Sequence, residues 1–273
     1  RSDVIAGAAA AREANADLLI AFGGGSVIDA TKLIQLCLWA DIIEVDQLAP
    51  YRMGRGDDRK NASQIPAGIR TIAIPTTLSA AEFTPFAGVT DGEKQVKESY
   101  THPDFAPRAV ILDPAITLDT PARLWSSTGM KAIDHAVEQL CNLERSPMGD
   151  AVAAEGLRLL AKGLRATHDD PADLEARAAC QHGMWLAISG AATGRGMGAS
   201  HAIGHTLGGS YGVPHGITSC ITLHATLEWN RDYSVDRQTL VSRLMGKRAL
   251  PAADVVRDLV KTLGLPCRLC ELL

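Results

Sequence analysis

Near residue 125 the sequence stops reading as strands. Before that point short apolar runs alternate with helical patterns; beyond it every apolar spacing is helical. That switch restricts the chain to an α/β domain followed by an all-helical one. The α/β part opens with an Ala-rich helix over Ile5 to Ala14. Asp17 to Phe22 reads as a buried parallel strand, followed by Gly23-Gly24-Gly25-Ser26 and a helix over Val27 to Trp39. Leu48 to Pro66 is polar and reads as a surface loop. Further strands are expected at Thr71 to Ile74, at Phe86 to Asp91 and at Ala109 to Asp113, the last stopped by Pro114. Lys94 and Lys97 fall on the strand that follows the Asp91-Gly92 turn. Thr117 to Leu124 reads as a loop and helix start, and Gly129 to Glu138 as a helix. Helices are then expected at Ala151 to Ala166, Ala172 to Ala191, Ser200 to Leu207, Ile217 to Trp229, Val235 to Met245 and Ala252 to Leu263. The division falls at 1–124 and 125–273, and a small-molecule site is expected in a cleft between the two.

The overall balance of residues argues against two partner classes. A net charge of −4 gives no electrostatic reason to expect nucleic acid or an anionic membrane. No apolar run reaches the ~20 residues that a spanning helix needs. Charges run through the first residues where an export signal would be apolar. The six cysteines (37, 141, 180, 220, 267 and 270) are scattered, with one lone CxxC, and are expected to be reduced in a cytoplasmic protein. The first residue is Arg1 and the first element a helix, so the sequence is expected to begin inside a fold.

Chemistry-bearing residues concentrate in a few stretches. Three of the eight histidines, His201, His205 and His215, lie between Gly194 and Gly216. The first two are four residues apart and share a helix face; His215 follows a Gly-rich break, in a Pro-His-Gly turn. With His135 these imidazoles suit a divalent metal, or they are separate surface and core histidines. The strand–glycine–helix stretch at Gly23 to Ser26 is the context in which backbone N–H groups cradle a phosphate, or it is a plain tight turn. Asp29 and Lys32 on the following helix contact a ligand or are solvated. The hydroxyls of Thr76, Thr77 and Ser79 follow a strand end, where open α/β sheets bind ligands and where turn residues are equally at home. Arg195 either holds a substrate carboxylate by a bidentate pair or is a surface charge.

Five segments in a fixed order carry a resemblance to a known family: GGGSVIDATK, IPTTLSAAEFTPFAGVTD, VILDPAITLDTP, STGMKAIDHAVE and SHAIGHTLGGSYGVPHG. The chain resembles the iron-type (group III) alcohol dehydrogenase superfamily, in particular its maleylacetate reductase-like branch. The resemblance implies an N-terminal α/β dinucleotide-binding domain and an all-α C-terminal domain, the dehydroquinate synthase-like architecture. It implies a homodimer acting on a small molecule with NAD or NADP. Gly24, Gly25 and Ser26 would hold the pyrophosphate, with Asp29 beside it. Thr76, Thr77, Ser79, Lys97 and Lys94 would contact the cofactor, and Leu118 would line its pocket. His135, His201 and His215 match the family's metal ligands, and His205 the histidine near substrate and nicotinamide.

One position departs from the family with chemical consequences. The family's metal site uses an aspartate four residues before the first histidine, and here that residue is Lys131. Asp134 precedes His135 directly and on a helix points about 100° away from it. An ammonium at Lys131 repels a dication and cannot ligate while protonated; it can polarise a substrate carbonyl or bind a carboxylate. The expected protein is therefore an NAD(P)H-dependent oxidoreductase that works without metal, with Lys131, His201 and His205 as catalytic groups and Lys131 and Arg195 toward the substrate. Two other readings stand beside it. In one, iron or zinc sits on the three histidines of a metal-dependent alcohol dehydrogenase. In the other, the chain is a non-catalytic paralogue or inactive fragment. His224, where many relatives carry proline, has no reading from sequence.

Overall fold

A computed structural model describes residues 1–54, 59–91, 96–191 and 196–272. The chain divides into two compact units, Arg1–Thr76 with Ala81–Leu112, and Thr77–Ala80 with Asp113–Leu273.

In the first unit α1 (Ser2–Glu13) precedes β1 (Leu18–Gly23) and α2 (Gly25–Trp39). Then come β2 (Arg70–Pro75), the antiparallel hairpin of β3 (Phe86–Asp91) and β4 (Val96–Thr101), and β5 (Ala109–Val110). The sheet order β1-β2-β5 is parallel, with Leu18 opposite Arg70 and Ile72 opposite Ala109. Small residues make the helix–sheet contact: Ala21 and Ala73 are buried under Ile28 of α2. A second cluster joins Val4 and Ala8 of α1 to Leu33, Leu36 and Cys37 of α2 and to Tyr100 and Phe105.

Three expectations are corrected here. The strand expected to be buried is half-exposed: Leu18, Ile20 and Phe22 are 41%, 62% and 58% exposed. Alternate residues of a strand face opposite ways, and α2 covers only the Ala21 side. The region from 48 to 66 is not simply a surface loop. A 3-10 helix, Val45–Tyr51, is entered through a capping box between Glu44 and Gln47, and its Leu48 is fully buried in the α1–α2 cluster. Strand pairing at β5 is shorter than the expected Ala109–Asp113, because Asp113 already accepts the Ala115 N–H and turns the chain.

The second unit is helical: α3 (Ala122–Cys141), α4 (Pro147–Asp169), α5 (Leu174–Ser189), α6 (Ala199–Tyr211), α7 (His215–Trp229), α8 (Val235–Leu244) and α9 (Ala252–Thr262). The helix α3 is central, buried on nearly every side and packed against α4, α5 and α7. Two details of the histidine segment differ from expectation. The helix α6 runs on through Gly208-Gly209 and ends at Gly212, whose φ of +67 forms a left-handed cap. His215 is the first residue of α7, after Pro214 as N-cap, rather than part of a turn. His224, silent in the sequence, places Nε2 3.1 Å from the Cys267 carbonyl and ties α7 to the segment after α9.

One buried ionic group sits inside the first unit. Lys32, 1% exposed and not solvated, donates to the carbonyls of Ala81 and Phe86 at 2.6 and 2.5 Å and lies 3.5 Å from Asp29. Burial lowers its pKa. Burial also pushes Glu82 up to about 7 from 4.5, only partly offset by its own backbone amide and the Lys32 charge. The folded chain thus keeps a proton that the unfolded chain releases, so stability falls as pH rises between about 4.5 and 7. Glu82→Gln should flatten this slope, gaining up to about 3 kcal/mol on wild type across that window, as read by urea unfolding at both ends of it. Gly216 marks a different constraint. A Cβ there would lie 2.8 Å from the Ser127 carbonyl group, so only glycine lets α7 start this close to α3. Gly216→Ala should cost about 2 kcal/mol, whereas Gly209→Ala, with open space around it, should be neutral or stabilise by up to about 1 kcal/mol; thermal unfolding of the pair measures both.

Candidate functional site

The helical unit gathers its chemistry where α3 meets the N-termini of α6 and α7. The helix α3 presents Lys131, Asp134, His135 and Glu138, all buried or nearly so. Lys131 and His135 are one turn apart and share a face. The helix α6 begins at Gly198, which has no side chain to cap it. Glu138 caps it from α3: one carboxylate oxygen accepts the Ser200 N–H at 2.7 Å, the other the Gly198 N–H at 2.8 Å.

His201 is built into the same contact. Its Nδ1 lies 2.6 Å from Glu138 Oε2 and 3.4 Å from Asp134 Oδ2. Its Nε2 is buried and has no hydrogen-bond partner among the described residues. The His135 ring stacks on it, with centroids 5.0 Å apart and planes 25° apart. Burial works against a charge on Glu138, but the His201 hydrogen bond and charge and the two amides outweigh it and hold this carboxyl below its ordinary range. Asp134 behaves oppositely. It is fully buried, and burial raises its pKa against the pull of His201 and Lys131. Ser200 and Ser219 donate to its Oδ2 at 3.0 and 2.6 Å.

The sequence reading found His201, His135 and Lys131, and the structure brings the two rings together one turn from Lys131. It set Asp134 aside and missed Glu138. Asp134 does turn away from the His135 face, but toward His201, so its relevance depends on α6 and α7 rather than on α3. Glu138 carried a signal: it is three residues beyond His135 and therefore on an adjacent helix face. His205 lies one turn beyond His201 on α6, but His201 is buried while His205 is exposed. The shared face is therefore shared only in part. Of His215 the backbone start of α7 is described. Arg195 and Lys94 lie outside the described residues, and Lys97 is placed only as a backbone position on β4, opposite Thr90.

Asp134, Glu138 and His201 each offer one ligand atom within 4.8 Å of the others, the composition of a metal site. Asp134 Oδ2, both Glu138 oxygens and His201 Nδ1 are already engaged by two amides, two hydroxyls and one another, while Asp134 Oδ1 and His201 Nε2 are buried without a hydrogen-bond partner among the described residues. A cation on the engaged atoms would have to displace these bonds, and the cluster is better described as a hydrogen-bonded bracket around one ring.

The remaining expected residues belong to the nucleotide side. The chain passes from β1 to α2 through Gly24 alone, and Gly25 and Ser26 form the first turn of α2. That turn contains no acidic residue, so its dipole and amides are uncompensated. Asp29 differs from expectation. Its Oδ2 accepts the Gly88 N–H at 3.0 Å and its Oδ1 faces Lys32, so the carboxylate links α2 to β3. The hydroxyls of Thr77 and Ser79 have no hydrogen-bond partner among the described residues. The backbone N–H of Thr76 donates to Gly23, and Leu118 is 43% exposed after a short 3-10 turn. No helix among the described residues is long and apolar enough to cross a membrane.

Residues 1–114 match the family described as iron-containing alcohol dehydrogenase, and residues 126–272 match the C-terminal part of the Fe-containing alcohol dehydrogenase family. Maleylacetate reductase 2 of Cupriavidus pinatubonensis is 34% identical over 187 residues, which are 68% of this chain and 43% of that protein. The chain thus spans less than half of that relative. The crystal structure of maleylacetate reductase from Agrobacterium tumefaciens superposes with a TM-score of 0.78 at 29% identity, over 98% of this chain and 67% of that one. Sulfoacetaldehyde reductase from Bifidobacterium kashiwanohense, solved in complex with NAD+, gives 0.83 at 27% identity, over 99% and 70%. The chain belongs to the iron-containing alcohol dehydrogenase family and is similar, within it, to the maleylacetate reductases.

Proposed function

We propose that this chain carries the catalytic machinery of an NAD(P)H-dependent carbonyl reductase of the maleylacetate reductase kind, acting without a metal on an unsaturated oxo-diacid. The observation that carries the reading is Lys131, a buried lysine one turn before His135 where the family's metal carboxylate would stand. Lys131 is what stands against the family's metal, since the buried, unpartnered His201 Nε2 and Asp134 Oδ1 are themselves capable ligand atoms. The carboxylates near His201 are engaged in the bracket on its Nδ1 side, and the residue in the ligand position is a cation. A dication beside a buried ammonium is opposed by charge, and a protonated lysine supplies no lone pair.

A bound nicotinamide supplies the hydride for reduction and accepts it for oxidation. The residues of this chain do the rest. Gly24, Gly25 and Ser26 hold the pyrophosphate through backbone amides at the start of α2. Thr76, Thr77, Ser79, Lys97 and Leu118 complete the cofactor contacts. Lys131 and His201 stabilise the negative charge that builds on the substrate oxygen, and exposed His205 delivers the proton that turns it into a hydroxyl. Arg195 pairs with a substrate carboxylate.

The metal-dependent reading makes opposite predictions and is decided together with this one. Elemental analysis should find no stoichiometric iron or zinc, and NADH oxidation on maleylacetate should survive chelation. Lys131→Ala should lower turnover by roughly 10²-fold or more while NADH fluorescence reports unchanged cofactor binding. One iron or zinc per chain with activity lost on chelation, or full turnover in Lys131→Ala, overturns the proposal.

A further inference from the structure

Glu138 is tied to three donors at once, and that arrangement fixes the chemistry of a neighbouring ring. Gly198 N–H and Ser200 N–H can only donate, and they occupy both of its oxygens. A carboxylate that accepts two amides is held as an acceptor, so the 2.6 Å contact to His201 is Nδ1–H donating to Oε2. Nδ1–H is then the edge of the ring committed to Glu138, and Nε2 is the edge left to meet a ligand. That Nε2 is buried, without a hydrogen-bond partner among the described residues, on the opposite edge of a ring stacked against His135. Asp134 reinforces the setting from 3.4 Å and is itself anchored by Ser200 and Ser219.

Resting on the reductase reading, we propose that Glu138 is a positioning residue for the reaction. It commits Nδ1–H to the carboxylate and holds the ring at one rotation, so that Nε2 is the edge that meets the substrate oxygen, where it stabilises the developing charge as the N–H donor of the doubly protonated ring. The arrangement follows the logic by which a buried carboxylate orients the histidine of a hydrolase triad or of a metal site. It also couples catalysis to structure: the carboxylate that orients the ring caps the helix that carries it, so α6 and His201 cannot shift independently.

The test begins with the wild-type protein. Two-bond proton–nitrogen NMR on 15N-histidine-labelled protein, with the His201 signal assigned by its loss in His201→Gln, should show a protonated Nδ1 and a bare Nε2 in the neutral ring. A proton on Nε2 in the neutral ring overturns the proposal. Glu138→Gln should mix or reverse this pattern and lower kcat roughly 10- to 100-fold, with KM for NADH unchanged. An unchanged kcat in Glu138→Gln with an altered ring pattern overturns it as well. The wild-type spectrum needs neither a folded variant nor any turnover. Failure of the reductase reading, seen as absent NADH oxidation by wild type, is therefore distinguishable from failure of the Glu138 assignment.

Discussion

The helical unit depends on one carboxylate shared between two helices. Glycine at the N-cap of α6 leaves its first amides without a local acceptor, and a buried helix end without acceptors is costly. Glu138 supplies both acceptors from α3, and desolvation, which would favour its neutral form, is outweighed by the three donors. The same three donors make it an anion, and the anion orients His201. The site geometry is therefore a consequence of helix capping. A side chain of Ser, Thr or Asp at residue 198 would cap α6 locally; it would also meet Glu138, since a Cβ there would lie 2.7 Å from its carboxylate oxygen. Gly198 is what lets the α3 carboxylate approach.

Charge placement around that bracket is informative in a second way. Asp134 and Glu138 lie one turn apart on α3 and would repel if both were ionised. Their environments push them in opposite directions: Glu138 receives amides and the ring, while Asp134 is buried with hydroxyl partners. The cation Lys131 on the preceding turn acts on Asp134 and offsets part of this cost. Under the proposed function, lysine in place of a carboxylate ligand puts a cation where a dication would otherwise be called for. On that reading the orientation of His201 comes from its 2.6 Å contact with Glu138.

The sequence showed the architecture through periodicity, and its errors share a physical cause. Local pattern identifies elements whose partners are nearby in sequence. It found α2, β2 and β3 closely. It could not see that Leu48 is drawn into the α1–α2 core, or that β1 is covered on only one face, because both depend on distant elements. Likewise His135, Lys131 and His201 were visible through spacing and resemblance. Glu138 was not singled out and Asp134 was set aside, since their importance comes from contacts more than 60 residues away in sequence. Lys32 illustrates the converse. A lysine early in a helix reads as solvated, and only the position of the 81–86 segment reveals three acceptors that allow it to be buried.

Lys32 and Asp29 also bear on how a dinucleotide would be held. In the sequence both read either as ligand contacts or as solvated charges, one cationic and one anionic, next to a glycine turn. Both are engaged within the first unit, Lys32 on two carbonyls and Asp29 on the Gly88 amide. Charge recognition of a pyrophosphate at Gly24 to Ser26 is therefore left to backbone amides and the α2 dipole, which no acidic side chain in the first turn opposes. Amides held by the helix lose no side-chain entropy on contact, whereas a surface lysine would have to be ordered. By anchoring α2 to the segments around β3 from inside, Lys32 fixes the direction of that dipole. Its contribution to cofactor binding under the proposed function is therefore orientation of the helix, and the phosphate itself meets only backbone and the Ser26 hydroxyl.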